Sequence, residues 1–244
     1  MDIQKNRIIW SEKLYVVLAG IFIASLVASN LIFQKFFIWQ PFYFLNSYNS
    51  ISWLNSLSTF SFEISVGILP YPITFLVTDI ISEIYGRKKA NQVVIAGFLS
   101  SVFILGVVTL ANFVPATDWS PIDNQTFSKV FGLFGPAVFA SMTAYLSAQL
   151  IDVRIFHFWK KLTNNRHLWL RNNGSTIFSQ LVDTFAVLFL LCSLGTIAWD
   201  KFSILFFNGF LFKVLVAFID TPLFYIFSYY IRKVFGLKLG EELI

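Results

Sequence analysis

Pro70-Tyr71-Pro72-Ile73-Thr74-Phe75-Leu76-Val77-Thr78-Asp79-Ile80-Ile81-Ser82-Glu83-Ile84-Tyr85-Gly86-Arg87-Lys88-Lys89-Ala90 is the stretch whose reading decides the fold. Its apolar residues do not alternate with polar ones, so a half-buried strand does not fit. It closes on three consecutive cations, the way a membrane helix closes on its cytoplasmic side. Two features set it apart from a plain lipid anchor. Pro70 and Pro72 remove backbone donors and free carbonyls near its start. Asp79 and Glu83 stand four residues apart and so share one helix face.

Working outward, the same texture fills the chain. Of 244 residues, 57% are apolar and only 13% charged. Soluble domains carry about 25% charged residues, and a mean hydropathy of +0.70 is too high for one soluble core to hide. A disordered chain, a nucleic-acid module and an ordinary cytosolic enzyme are excluded. A bilayer core about 30 Å thick needs roughly 20 mostly apolar residues per helix. Six stretches qualify: Leu14–Phe33, Phe62–Ile84, Ala90–Phe113, Val130–Ile151, Ser175–Trp199 and Ser203–Ile231. The expectation is an all-α integral membrane protein of six transmembrane helices, one domain over residues 1–244, with no soluble domain left over. The continuous apolar runs exclude a β-barrel, whose strands alternate with period two. The first stretch follows Lys5, Arg7 and Lys13 like a signal peptide, but its apolarity continues to Phe33 and it reads as a span.

Cation placement sets the orientation. With the N-terminus inside, inner segments hold 14 Lys and Arg and outer segments hold only Lys35, Lys129 and Lys201, with Lys213 inside the sixth span. That asymmetry is the positive-inside pattern and places both termini in the cytoplasm. The net charge of +5 is therefore an orientation signal and calls for no nucleic acid. The outer segment 34–61 is dense in aromatics, among them Phe36, Trp39, Tyr48 and Trp53. It reads as an interfacial belt or short re-entrant hairpin in preference to an outer lid.

Five ionisable residues fall within the spans, Asp79, Glu83, Asp183, Lys213 and Asp220, with Asp152 at the inner end of the fourth. An Asp or Lys at the bilayer centre costs about 2.5–3.5 kcal/mol, so each marks a candidate site. Glu83 has a plainer reading as a solvated helix-end acid beside Arg87, an ordinary i,i+4 pair. Tyr145, Gln149 and Asp152 form one face of the fourth span; Thr176, Gln180 and Asp183 form one face of the fifth, with Thr184 beside them. Lys213 and Asp220 are seven apart, about 10 Å along the axis and too far for a direct pair. Four acids against one lysine leave negative charge over, which pure structural glue does not explain. A substrate site is the stronger reading. A weak echo of Leu76-Val77-Thr78-Asp79 in Leu181-Val182-Asp183-Thr184 would suit a 3+3 inverted repeat.

Other motifs carry little. His157 and His167 lie in the basic inner connection as solvated residues, and no metal site is expected. Cys192, the single cysteine, is a small packing residue. Gly132 and Gly135 suggest close packing but lack dimer spacing. No phosphate loop, zinc-protease pair or nucleophile elbow is present, so neither an enzyme nor a cofactor is expected.

The quoted stretch closely resembles the signature second helix of the queuosine precursor transporter family, also called the vitamin uptake transporter family. Three further blocks agree in order: Ala144–Phe156, Ser175–Phe185, and Lys213 with Asp220–Tyr225, while Ser29-Asn30 fits late in the first span. The resemblance implies a six-helix inner-membrane importer of 7-deazaguanine precursors of queuosine: 7-cyano-7-deazaguanine, 7-aminomethyl-7-deazaguanine or queuine. On that implication, Asp183 or Asp79 would accept the guanine-like N–H edge. Lys213, Gln180 or Gln149 would meet the ring carbonyl. Tyr145, Tyr71, Phe75 and Phe224 would stack on the base, and Asp220 would meet a cationic substituent. Asn30, Thr74, Glu83, Asp152 and Thr184 complete the expected site. The expected partners are a small deazapurine and membrane lipid, with a homodimer left open. A substrate-binding subunit of a vitamin importer whose ATPase lies on other chains is the alternative.

Overall fold

A computed structural model of the chain describes residues 2–44, 58–132, 136–195, 197–238 and 240–243. Its elements in order are helix α1 (Asp2–Ile32), strands β1 (Phe36–Trp39) and β2 (Phe62–Ser65), a 3-10 turn at Val66–Ile68, and helices α2 (Tyr71–Ile84), α3 (Gly86–Phe113), α4 (Asn124–Phe131), α5 (Pro136–Leu162), α6 (Leu168–Ser193) and α7 (Phe202–Phe235). A second 3-10 turn, Trp199–Lys201, leads into α7. The chain is thus largely α-helical. Five helical stretches are long and apolar enough to cross a membrane: 7–32, 66–84, 86–113, 168–193 and 199–235. Helix α5 is also long, at 27 residues. It is not among them because Tyr145, Gln149, Asp152 and Arg154 dilute its apolar character.

The quoted stretch forms the centre of the bundle. Helix α2 packs against α1, α3, α5 and α7 and is buried from Thr74 through Ile84 apart from Leu76. The prolines act differently from the sequence reading. Pro70 caps α2 and Pro72 sits in its first turn, where the missing N–H has no helical partner to lose. They start the helix and do not break it. Upstream, Phe62–Ser65 is no part of a helix: it pairs antiparallel with Phe36–Trp39, Trp39 opposite Phe62. The aromatics explain the strand. Trp39 stacks on Phe62 with ring centroids 5.6 Å apart, and both pack on Phe212 of α7. Strand β1 comes from the 34–61 segment and β2 from just beyond it; Tyr48 and Trp53 lie outside the described residues, as does Gly135.

The 3-10 turn is seated by close approach. Ser29 Oγ donates to the Gly67 carbonyl, and a Cβ on Gly67 would lie 2.7 Å from the Phe33 Cβ and the Ser29 carbonyl. Helices α2 and α3 meet without a loop. Tyr85 ends one and begins the other, and Gly86 turns the chain at φ +80°.

The basic connection between the fourth and fifth spans is shorter than the sequence reading made it. Only residues 163–167 separate α5 from α6, turned by Asn164, Asn165 and His167 at positive φ. Arg154, Lys160, Lys161 and Arg171 are helix residues, and His157 is half-buried against Phe156. Val130 and Phe131, expected to open the fourth span, instead end the short surface helix α4.

Contacts gather the ends of the elements. Tyr85 donates to the Ser11 carbonyl and Tyr15 to that of Lys89. The Leu243 N–H donates to the Ile84 carbonyl at 2.7 Å. Both ends of the chain therefore lie at one end of the bundle, with Arg87–Lys89, Lys160, Arg171 and Arg232. Phe103, Leu110, Phe113, Phe207 and Val234 stand at least two-thirds exposed. An apolar surface of that extent is stable against lipid and not against water.

Candidate functional site

A cavity of about 270 Å³ opens between α1, the strand pair, α2, α5, α6 and α7. Its apolar wall comes from residues such as Leu26, Ile68, Leu188 and Leu205. Its polar groups converge at one corner. Lys213 Nζ of α7 donates to Asp183 Oδ2 of α6 at 2.7 Å and to Thr184 Oγ1 at 3.2 Å. Tyr71 at the head of α2 donates its hydroxyl to the same Asp183 oxygen at 2.5 Å. The ammonium lies 4.4 Å from the Tyr71 ring centroid, a cation–π contact strengthened by desolvation. The lysine thus pairs across helices, not with Asp220 along its own. Asp183 Oδ1 is buried and has no hydrogen-bond partner among the described residues.

Beside this corner an aromatic wall forms. The Tyr71 and Tyr145 rings meet edge-on at 5.2 Å, and Phe75 packs behind both. Tyr145 Oη accepts from Gln149 Nε2 at 2.7 Å, and that amide also reaches Thr74 and Thr78 at 3.4 Å. Ser29 and Asn30 line the cavity from α1 and Glu63 from β2. Gln180 and Asp220 line a narrow adjoining crevice with Tyr71 and Lys213. The Gln180 amide oxygen is buried without a partner among the described residues.

Of the residues singled out from the sequence, Asn30, Tyr71, Tyr145, Asp183, Thr184 and Lys213 share the cavity wall. Thr74 and Gln149 form the layer behind it. Asp79, Glu83 and Asp152 lie deeper toward the basic end and do not line it, and Phe224 packs on Phe156, away from it.

Glu83 is not the solvated acid beside Arg87. It has no exposed surface. Arg171 Nη1 lies 3.0 Å from Glu83 Oε2, Lys160 Nζ stands 3.8 Å from the same oxygen, and Arg232 pairs with Oε1. Lys160 also bonds Glu242 at 2.9 Å, and Arg232 donates to the Lys238 carbonyl. This knot ties α2, α5, α6, α7 and the 237–243 segment together and closes the basic end. Sequence reasoning missed its cations because they were counted as solvated charges. The only signal was Arg171-Asn172-Asn173 immediately before an apolar run. Those residues prove buried in the first two turns of α6, with Asn173 donating to Thr221 of α7 at 2.8 Å.

Asp79 and Asp152 meet between the cavity and the knot. Their carboxyls are within hydrogen-bonding reach of each other and both are buried. Asp152 Oδ1 accepts from Ser179 at 2.9 Å, whereas neither Asp79 oxygen has a donor among the described residues.

These features define a polytopic membrane protein with a small cavity among its helices, apolar but for one polar corner. The family model described as "Putative vitamin uptake transporter" matches residues 65–227, and the chain belongs to that family. It is 31% identical over 173 residues to the "Probable queuosine precursor transporter" of Bacillus subtilis, covering 69% of this chain and 73% of that protein. To the "Queuosine precursor transporter" of Escherichia coli it is 28% identical over 161 residues, 64% of this chain and 68% of that one. No solved structure matches the chain.

Proposed function

We propose that this protein imports 7-deazaguanine precursors of queuosine, as a carrier of six membrane-spanning helices in the bacterial inner membrane with both termini in the cytoplasm. The names of its relatives support the substrate class. Parity supports the span count. Both chain ends lie at the basic end of the bundle, an arrangement that needs an even number of crossings. Helix α5, about 40 Å long at 1.5 Å per residue, supplies the sixth. The 14 Lys and Arg of the segments read as inner from the sequence support its cytoplasmic placement.

The observation that carries the substrate reading is the free acceptor Asp183 Oδ1 beside Lys213 in a cavity walled by Tyr71 and Tyr145. A guanine-like base presents N–H donors along one edge, a carbonyl acceptor beside them and two flat faces. Asp183 Oδ1 takes one donor, and the Gln180 amide oxygen in the adjoining crevice, without a partner among the described residues, takes a second. Lys213 meets the carbonyl, and the tyrosine rings hold a face. The second oxygen of Asp183 is already held by Tyr71 and Lys213, so a bidentate grip on the ligand would require that pair to open.

The test is uptake of labelled 7-deazaguanine precursors by cells making the Asp183→Asn variant. A hydrogen bond to a charged group is worth about 1.5–3 kcal/mol, so uptake at matched expression falls roughly ten- to a hundredfold. Full uptake by the variant overturns the assignment of Asp183. Transport by the purified chain in liposomes distinguishes a carrier from a subunit that needs a separate ATPase.

A further inference from the structure

We propose that Asp79 and Asp152 together bind a single proton, and that this carboxyl pair is the site at which import is coupled to proton entry. The geometry carries the first half. Two ionised carboxylates are acceptors only, so the contact between these groups is a hydrogen bond only if a proton sits between them. The pair is sealed from water, with Asp79 1% exposed and Asp152 fully buried. Like charges held that closely without solvent cannot both remain ionised. Asp152 is steadied by the Ser179 hydroxyl, and Asp79 has no donor among the described residues. A shared proton satisfies both.

The surroundings show how the proton would leave. The charged groups facing the pair are Glu83, one turn on along α2, and Arg171 from α6. Arg232 of α7 and Lys160 of α5 are held through Glu83. Tyr71 and Tyr145 face it from the cavity side. From α1 and α3, Phe22, Leu26, Val93 and Val94 join the apolar core that α2 shares. Arg171 is the cation whose field reaches Asp79, and its buried Nε has no acceptor among the described residues. When the proton departs, the pair gains one negative charge and Arg171 is the group placed to meet it. That movement would loosen the grip of Arg171 on Glu83 and hence the knot closing the basic end. In the other direction the pair touches the cavity through two helices. Thr78, next to Asp79, bonds Gln149, and Gln149 bonds Tyr145 on the same α5 face as Asp152. Proton occupancy and the shape of the cavity wall are thereby mechanically linked.

The coupling half rests on the transport reading above, and the proton itself does not, so two measurements are paired. Infrared spectroscopy of the purified protein in nanodiscs reports the proton: wild type shows the carbonyl stretch of a protonated buried carboxyl, lost in both Asp79→Asn and Asp152→Asn. Absence of that band in wild type, or its persistence in both variants, overturns the site. In proteoliposomes, an external pH one unit below the internal drives wild-type accumulation of 7-aminomethyl- or 7-cyano-7-deazaguanine up to about tenfold at one proton per substrate. Asp79→Asn retains exchange of labelled for unlabelled substrate and loses the accumulation, while Asp79→Glu, which keeps the carboxyl, retains both. Exchange without gradient-driven accumulation in wild type, full accumulation in Asp79→Asn, or accumulation driven by a sodium gradient instead overturns the coupling. If wild type exchanges no deazaguanine, the substrate reading falls and the infrared result alone decides the proton.

Discussion

Glu83 shows at the scale of one side chain how this molecule accommodates charge inside an apolar bundle. Its carboxylate has no exposed surface and is met by Arg171, Arg232 and Lys160. Taking charges out of water is costly, and the cost is recovered only while every partner is present. Glu83→Gln leaves the cations facing a neutral amide, with Glu242 still paired to Lys160. The expected loss is about 3–5 kcal/mol, read as a fall of roughly 10 °C or more in the thermal midpoint in detergent. Arg171→Met should cost a similar amount. The double variant should cost less than the sum, because each single change strands the other's charge. An additive result would mean that the ion pair does not hold the two groups. That Glu83 and Asp183 were special was legible in the sequence, since an acid in an apolar run announces itself. Their partners were not. Lys213 was weighed against Asp220 seven residues away, but its partner came from another helix. Arg171 was hidden because the apolar run begins four residues after it.

At the scale of elements, the junction of α2 with α3 depends on one glycine. Gly86 sits at φ +80°, in the left-handed region that a side chain enters at a cost of roughly 1–2 kcal/mol. A Cβ there would also lie 2.2 Å from Glu242 Oε2. Gly86→Ala therefore carries two penalties, strain in the turn and displacement of the Glu242 carboxylate from its place beside Lys160. Adding Glu242→Ala should relieve only the second. Melting should show a residual deficit of about 1–2 kcal/mol in the double variant. Hydrogen exchange at the Leu243 amide, which bonds the Ile84 carbonyl, should accelerate in both. Unchanged exchange in Gly86→Ala would show that the segment does not lean on this turn. The helices themselves were legible, because long apolar runs admit little else in lipid. The strand Phe62–Ser65 was not. Apolarity alone does not separate a short strand from the first turn of a helix, and its partner, Phe36–Trp39, lies 23 residues or more away in the chain. The prolines at 70 and 72 did mark a boundary, but their role as the opening of α2 depends on that strand and on the 3-10 turn before them.

For the whole molecule, two surfaces compete to set orientation: an apolar belt that must face lipid and a basic end that resists crossing it. Moving cationic segments across a bilayer is disfavoured, so on the proposed topology the end bearing Arg87–Lys89, Lys160, Lys161 and Arg232 is the cytoplasmic one. On that topology the opposite end, with Lys35, Lys129 and Lys201, would face out. The weak link in that topology is α5, whose polar face lowers its hydropathy below that of the other long helices. Its acids and amides turn inward toward α2 and α6, and its exposed Thr143 and Ser147 hydroxyls donate to carbonyls of the helix itself, which lowers the cost of crossing despite its composition. Cysteine accessibility tests this directly. With the single cysteine replaced, Cys192→Ser, new cysteines are introduced one at a time at Thr117, Lys161 and Lys201, all exposed. A membrane-impermeant maleimide applied to intact spheroplasts should label Thr117→Cys and Lys201→Cys at once, and Lys161→Cys only after the membrane is opened. Thr117 and Lys161 flank α5, while Lys161 and Lys201 flank α6. Equal labelling of Thr117→Cys and Lys161→Cys from outside would mean that α5 does not cross, and the six-span carrier would have to be abandoned.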